Sequence, residues 1–283
     1  DLMNDVHEVF SISCICFLSL KNPSPCVTIT TIITDTGIER RDSMYQFESR
    51  VRYSEVDSER HLTLPAVMDY LQDCCTFQSE DMDIGVEYLA EQKQAWVLSS
   101  WEIKVRRYPV MGEKICVETW PYAFKGFYGY RNFRITNGQG EELVLANSVW
   151  VYMDMERMRP MRIPEKVADA YRPEIGEELP GEWGARKLSV PEGGTAMQPV
   201  PVAGFFIDTN HHMNNGKYIL VAKESVPENF VIGGVQAEYR RAAMLGDVLH
   251  PVVAVAEEKI TVVLTDGEDQ IYAIVEFAAA EKN

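Results

Sequence analysis

Residues 55–63, "EVDSERHLT", and residues 206–214, "FIDTNHHMN", are two versions of one phrase, and the fold follows from that repetition. Each carries an aspartate, a histidine four positions later, then an apolar and a polar residue. Asp57 and His61 precede Asp208 and His212 by the same 151 positions. A second echo lies downstream of each phrase, "VRRYPVMGE" at 105–113 and "YRRAAMLGD" at 239–247. Repetition on this scale implies one structural unit present twice, fused head to tail.

Periodicity gives the content of the unit. "YQFESRVRYSE" alternates with period two, as a half-buried strand does. "LTLPAVMDYLQDCCTFQSEDM" instead sets Leu64, Val67, Met68 and Leu71 at helical spacing. "AWVLSSWEIKVRRY", "KICVETWPYAF", "GYRNFRITN" and "ELVLANSVWVYMDM" follow as β-rich runs parted by turns such as "NGQGE". In the second half, residues 201–212 read as a strand leading into Asp208, and "NNGKYILVAKESV" reads as a helix. "VQAEYRRAAM", "VLHPVVAVAEEKITVVLTD" and "DQIYAIVEFAAA" supply its strands. Between the halves, "YRPEIGEELPGEWGARKLSVPEGG" is rich in Pro, Gly and Glu and reads as a linker crossing the surface. A helix with antiparallel strands, twice over, is an α+β pattern. The expected organisation is a first unit at 44–170, a linker at 171–195 and a second unit at 196–283.

Residues 1–43 stand apart. "VFSISCICFLSL" and "CVTITTIITDTG" are apolar and β-branched, but the acidic start "DLMNDVHE" and the missing small-residue cleavage pattern fit a signal peptide poorly. Lys21 and Asn22 interrupt the run before the roughly 20 apolar residues that a bilayer requires. The segment reads as an extension upstream of the alternation that starts after Met44, and no fold is assigned to it.

Composition narrows the function. The chain has 283 residues, 46% hydrophobic and 25% charged, which is room for about two globular domains. A net charge of −16 argues against nucleic acid, which asks for a basic face, and against an anionic membrane surface. Cys14, Cys16, Cys26, Cys74, Cys75 and Cys116 form neither a zinc-ligand spacing nor a disulfide framework, so they read as the reduced thiols of a cytoplasmic protein. The His and Cys positions imply no metal or organic cofactor.

Asp208, Asn210 and His212 place an acid, an amide and an imidazole within five positions. In an extended segment these alternate positions share one face. Asn214 and Asn215 suit the cap of the helix that follows. An Asx turn before that helix is the competing structural reading of Asp208. His211 reads as a surface or packing neighbour.

The pattern Asp-x-Asn-x-His-x-Asn-Asn, met by Asp208, Asn210, His212, Asn214 and Asn215, resembles the active-site signature of acyl-acyl carrier protein thioesterases. The resemblance extends through "WVLSSWEIKVRRYPVMGEKICVETWP", "NSVWVYMDMERMRPMRIPE" and "EYRR", and so covers residues 46–280. It implies two tandem hot-dog units, each a long helix packed on an antiparallel sheet, the first binding the acyl chain and the second catalytic. Asp208 would then be general base or nucleophile. Asn210 would orient it or donate to the oxyanion, and His212 would position the water or protonate the thiolate. The first copy has Glu59 where Asn210 stands, which marks it as a degenerate site.

One departure qualifies the likeness: plant members carry Glu-Cys directly after "YRR", where this chain has Ala242–Ala243. That removes a water-activating carboxylate and a candidate thiol nucleophile. Glu238 stands four strand residues away, about 13 Å, and does not obviously substitute.

The activity implied by the resemblance is hydrolysis of fatty acyl-acyl carrier protein to free fatty acid and carrier protein, ending fatty acid synthesis. An acyl-CoA thioesterase and a non-hydrolytic acyl-binding hot-dog protein are the alternatives. An acidic carrier protein needs a local basic patch on so acidic a chain, and Arg157, Arg159, Arg162 and Lys166 form the densest one. Trp96, Trp101, Trp120, Trp150, Tyr152 and Met153 read as sheet core with the bulk to line an apolar tunnel. Both a monomer and a homodimer of the fusion fit.

Overall fold

Thr63 and Pro65 start the longest helix. In the computed structural model, which describes residues 44–268 and 270–280, α1 runs Leu64–Asp81, with Thr63 Oγ1 accepting from the Ala66 N–H at 3.4 Å. Pro65 sits in the first turn, where its absent N–H leaves no intrahelical bond unmade. Leu64, Val67, Leu71, Cys74 and Gln78 repeat at three- or four-residue spacing on the buried face. Each large apolar side chain so buried contributes about 1.5–3 kcal/mol. The extension at 1–43, with Cys14, Cys16 and Cys26, lies outside the described residues; Cys74, Cys75 and Cys116 are free thiols.

The rest of the first half comprises β1 (Tyr45–Arg50), α2 (Val86–Glu91), β2 (Gln94–Val105), β3 (Lys114–Lys125), β4 (Tyr128–Asn137), β5 (Glu142–Asp154), β6 (Arg159–Pro160) and α3 (Glu165–Tyr171). In the second, β7 (Thr195–Ala196) and β8 (Val200–Pro201) precede α4 (Asn215–Lys223), β9 (Ile232–Tyr239), β10 (Val248–Val255), β11 (Lys259–Thr265) and β12 (Ile271–Ala279).

These strands build one antiparallel sheet in the order β1-β3-β4-β5-β2-β9-β12-β11-β10-β7. Read outward from the middle, each half has the same order: β2, β5, β4, β3, β1 one way and β9, β12, β11, β10, β7 the other. The halves meet where Ser100–Lys104 pairs with Gly234–Glu238, so each covers the edge that the other would expose. Helix α1 packs on β3 and β1, α4 on β11 and β12, and the two helices touch. One core cluster runs through both halves, from Phe133 and Trp101 to Ala237 and Phe277. The chain is α+β, as its sequence pattern leads one to expect, and its two units have the hot-dog form that the family resemblance implies.

Three details differ from that expectation. Helix α4 has nine residues against eighteen in α1, so only the first half has a long helix. The strand expected over 201–212 is absent but for Pro201, the last residue of β8, which is followed by a 3-10 turn at Gly204–Phe206 and a loop. Helices α2 and α3 have no counterpart in the sequence reading, because six or seven residues are too few to display a period.

Beyond α3 the chain lies on the outer face of the sheet as a strap. Trp120 Nε1 on β3 donates to the Glu177 carbonyl at 2.8 Å, the Gly184 N–H donates to Glu102 on β2, and the Leu188 N–H donates to Glu238 on β9 at 2.8 Å. A Cβ at Gly176 would lie 2.5 Å from Trp120 Cδ1, so only glycine lets the strap approach this closely. The strap crosses the junction between the halves.

Candidate active site

Residues 207–213 form a closed turn. Ile207 and Met213 bridge as antiparallel partners, the Asp208 N–H donates to the His212 carbonyl at 3.0 Å, and the His211 N–H donates to the Asp208 carbonyl at 3.0 Å. Asp208 Oδ1 accepts the Asn210 N–H at 2.8 Å, an Asx turn, and His211 takes the left-handed backbone with φ 63°. Asn214 then caps α4 by accepting the Gly216 N–H at 2.9 Å.

The extended segment expected here is therefore absent, and with it the shared strand face of positions 208, 210 and 212. A polar run with Asp, Thr and Asn offers the backbone side-chain acceptors, which favour a turn over a ladder. The turn nonetheless brings Asp208 and Asn210 to the wall of one cavity, with Thr209 and Asn214 beside them. His212 is half-buried next to that wall and does not line it. Its Nδ1 lies 3.9 Å from Asp208 Oδ1, beyond hydrogen-bond reach, and 3.4 Å from the Met213 carbonyl oxygen.

The first copy repeats the turn. Asp57 Oδ1 accepts from the Glu59 and His61 N–H groups at 3.0 and 2.9 Å, Arg60 has φ 66°, and Val56 bridges Leu62. Neither Asp57 nor His61 lines the cavity. The Asx turn is thus the shared scaffold, and what separates the copies is where it faces.

The cavity measures about 710 Å³, within the usual range for small-molecule sites. It lies between the inner face of β2–β5 and helices α1 and α2, so the first half builds most of it and the 208–214 turn of the second half closes one part. Trp96, Phe124, Leu89 and Trp150 supply apolar wall. Trp96 stacks on Phe124 with centroids 6.2 Å apart, and a Cβ at Gly129 would lie 3.0 Å from the Trp96 ring, so glycine keeps that space open. The aromatic stripe divides: Trp96 and Trp150 line the cavity, Trp101 fills the core beside Phe133, and Trp120 sits under the strap.

Asp208 and Glu156 are the carboxylates on the cavity wall, and Lys93 engages Glu156 at 2.6 Å. Asp208 Oδ1 is held by the turn, while Oδ2 takes no hydrogen bond among the described residues. Glu238 turns to the outer face, where the Leu188 N–H and Arg240 hold it. Ala243 acts through its backbone, accepting the Met213 N–H at 2.8 Å and donating to Tyr218 Oη at 2.7 Å, which clamps the turn from behind. Burial pushes the Tyr218 phenol up to about 12. Burial likewise pushes the Cys75 thiol, on the cavity wall, up to about 11, which keeps it protonated and a poor nucleophile near neutral pH.

Three polar residues escaped the sequence reading. Gln78 lies on the buried face of α1, Tyr171 ends α3, and Arg131 shares the inward face of β4 with Phe133 and Ile135. The signal was available for two of them, since Arg131 alternates with buried apolar residues and Gln78 continues the helical stripe from Leu71 and Cys74.

Comparison with known proteins agrees with this construction. The family models described as the acyl-ACP thioesterase N-terminal and C-terminal domains match residues 42–171 and 192–277. A chloroplastic acyl-acyl-carrier-protein hydrolase of Cuphea viscosissima is 27% identical over 270 residues, covering 90% of this chain and 62% of its own length. The chloroplastic palmitoyl-acyl carrier protein thioesterase of Cuphea hookeriana is 29% identical over 220 residues, 72% of this chain and 53% of its own length. The chain thus spans about six-tenths or less of these curated relatives. Among solved structures, an acyl-ACP thioesterase from Bacteroides thetaiotaomicron superposes with a TM-score of 0.75 at 22% identity, covering 83% of this chain and 97% of that one. The 12:0-ACP thioesterase of Umbellularia californica gives 0.75 at 22%, covering 84% and 98%. At such identity the superpositions speak for the fold, and the two family models, in chain order over most of the sequence, speak for descent: this chain belongs to the acyl-ACP thioesterase family.

Proposed function

We propose that this chain hydrolyses fatty acyl thioesters of acyl carrier protein, releasing free fatty acid and carrier protein, with residues 44–170 holding the acyl chain and residues 196–283 supplying the reacting groups. The observation that carries this reading is the join at the cavity: a mostly apolar chamber from one half, closed by a turn from the other that presents an unpaired carboxylate oxygen. A thioester lying across that join puts its carbonyl near Asp208 and its acyl chain among Trp96, Phe124 and Leu89.

In this mechanism Asp208 Oδ2 takes a proton from the attacking water, while the Asx turn fixes the carboxylate through Oδ1. Asn210 and the N-terminus of α4 stabilise charge on the tetrahedral oxygen. His212, beside the cavity wall rather than on it, is assigned the return of a proton to the departing thiolate. Carrier-protein recognition is supported by the names of the relatives and by basic residues beside the chamber: Arg159 and Arg162 flank the β5–β6 turn, whose Met155 and Glu156 line the cavity. Arg157 is partly neutralised by Asp154, so Arg159, Arg162 and Lys166, the last standing over Tyr88, carry most of the docking charge. A cytoplasmic site of action is proposed because Cys74, Cys75 and Cys116 are free thiols. Separately, among the described residues no helix is long and apolar enough to cross a membrane.

The test is thiol release from acyl-carrier and acyl-CoA thioesters of graded length, with wild type, Asp208→Asn and His212→Ala. Loss of turnover in Asp208→Asn with retained folding is the expected result. Equal rates in all three proteins would remove the assignment. The 3.9 Å gap between Asp208 and His212, together with Ala242–Ala243, favours a second reading, an acyl-binding protein without hydrolysis. Saturable acyl binding with no thiol release from any substrate would select it.

A further inference from the structure

The chamber is not apolar throughout. Arg131 lines it at 7% exposure, yet no carboxylate stands within ion-pair distance of its guanidinium among the described residues. Nη1 donates to Gln78 and, at 3.0 Å, to Thr119 Oγ1. The fully buried Gln78 passes the contact on to Glu174, so a neutral amide stands between the cation and that carboxylate. The guanidinium lies 5.2 Å from the Tyr171 ring, whose hydroxyl is bonded to Ser79 Oγ at 2.7 Å. Nε and Nη2, which together carry three N–H groups, meet no carboxylate or backbone carbonyl among the described residues, and the neutral Tyr171 hydroxyl is the protein oxygen beside the guanidinium.

A buried, permanently charged group with donors to spare is costly unless something in the site accepts from it. A plain hydrocarbon chain cannot. Resting on the thioesterase reading above, we propose that this chamber is built for an acyl chain that carries an oxygen acceptor, a hydroxyl, keto or carboxylate group, remote from the thioester, and that Arg131 binds that oxygen.

Helix α1 gives the spacing. Gly216, in the first turn of α4, packs against Met68 and Asp69, whereas Arg131 meets the same helix at Gln78. Nine residues at 1.5 Å separate those two levels by about 13 Å. An extended chain advances about 1.2 Å per bond, so the oxygen falls about eleven bonds from the reacting carbonyl.

The experiment compares unsubstituted, ω-hydroxy and ω-carboxy acyl thioesters of equal medium length, by kcat/KM, in wild type, Arg131→Met and Arg131→Lys. Wild type should favour an oxygenated chain about tenfold or more, the size of one charge-assisted hydrogen bond. Arg131→Met should bring that ratio near one, with Arg131→Lys between. The hydroxy and carboxy arms identify which oxygen is taken. Calorimetric titration of wild type with the matching free acids reads the same preference without turnover, so it survives a failure of the hydrolase reading or of a variant to fold. A wild type that prefers the unsubstituted chain in both assays overturns the proposal. So does an Arg131→Met protein that merely accepts longer plain chains, since Arg131 would then be an end wall.

Discussion

The two oxygens of Asp208 have separate tasks, and substitutions can part them. Asp208→Asn keeps an acceptor for the Asn210 N–H, so the turn should hold and the melting temperature should stay near wild type, while thiol release falls about a hundred- to ten-thousand-fold. Asp208→Ala loses the acceptor too, and should lose about 1 kcal/mol of stability besides, by analogy with a deleted cap. Similar stability in the two variants would contradict the turn's role. At Cys75, with its thiol near 11, alkylation by iodoacetamide should be slow near neutral pH and rise as the pH climbs toward that value, followed by peptide mass spectrometry. Rapid alkylation near neutral pH would show an open or electropositive site. Asp208, Asn210 and the Asn214 cap were legible as residue types because hydrolysis and capping require such groups. Arg131 was legible only as an inward-facing position. Its partner Gln78 lies 53 residues earlier, and nothing local in "YRNFRIT" says what a guanidinium there will meet.

Between β2 and β3, Arg107 and Glu113 close the loop through paired hydrogen bonds of 3.0 and 2.8 Å, and the Val110 N–H adds a third to the same carboxylate. Arg107 holds the Glu113 carboxyl below its ordinary range. A depressed folded pKa means stability that is present above the unfolded value and is lost as pH falls through the folded one. Glu113→Gln should therefore lower the unfolding free energy measured by urea titration at neutral pH by about 1 kcal/mol, because Arg107 is partly screened, and the gap to wild type should close in acid. A gap independent of pH would rule out the ion pair. On the cavity wall, Gly129→Ala sets a methyl against the Trp96 ring and should cut activity on the longest accepted chains more than on short ones, measured as kcat/KM against length. A uniform loss would place the ring elsewhere. Long strands and α1 were legible because they carry many periods of their pattern. The 208–213 turn was misread as a strand because its polar side chains bond to their own backbone.

Across the whole molecule, the β2–β9 pairing, the shared core and the strap bind the halves into one cooperative body. Calorimetry should show a single unfolding transition over the described region, and two separated transitions would refute that cooperation. Gly176→Ala drives a methyl into Trp120 and should lower the stability by about 1–3 kcal/mol without splitting the transition. Sequence alone determined that the chain holds two copies of one α+β unit, because repetition and periodicity are properties of order along the chain. Only the tertiary structure decided that the two copies share one sheet. It also decided that the turn of one closes the chamber of the other, and that a buried cation waits inside. Those outcomes depend on which distant residues become neighbours, and burial sets the energy of a charge only after the surrounding wall exists.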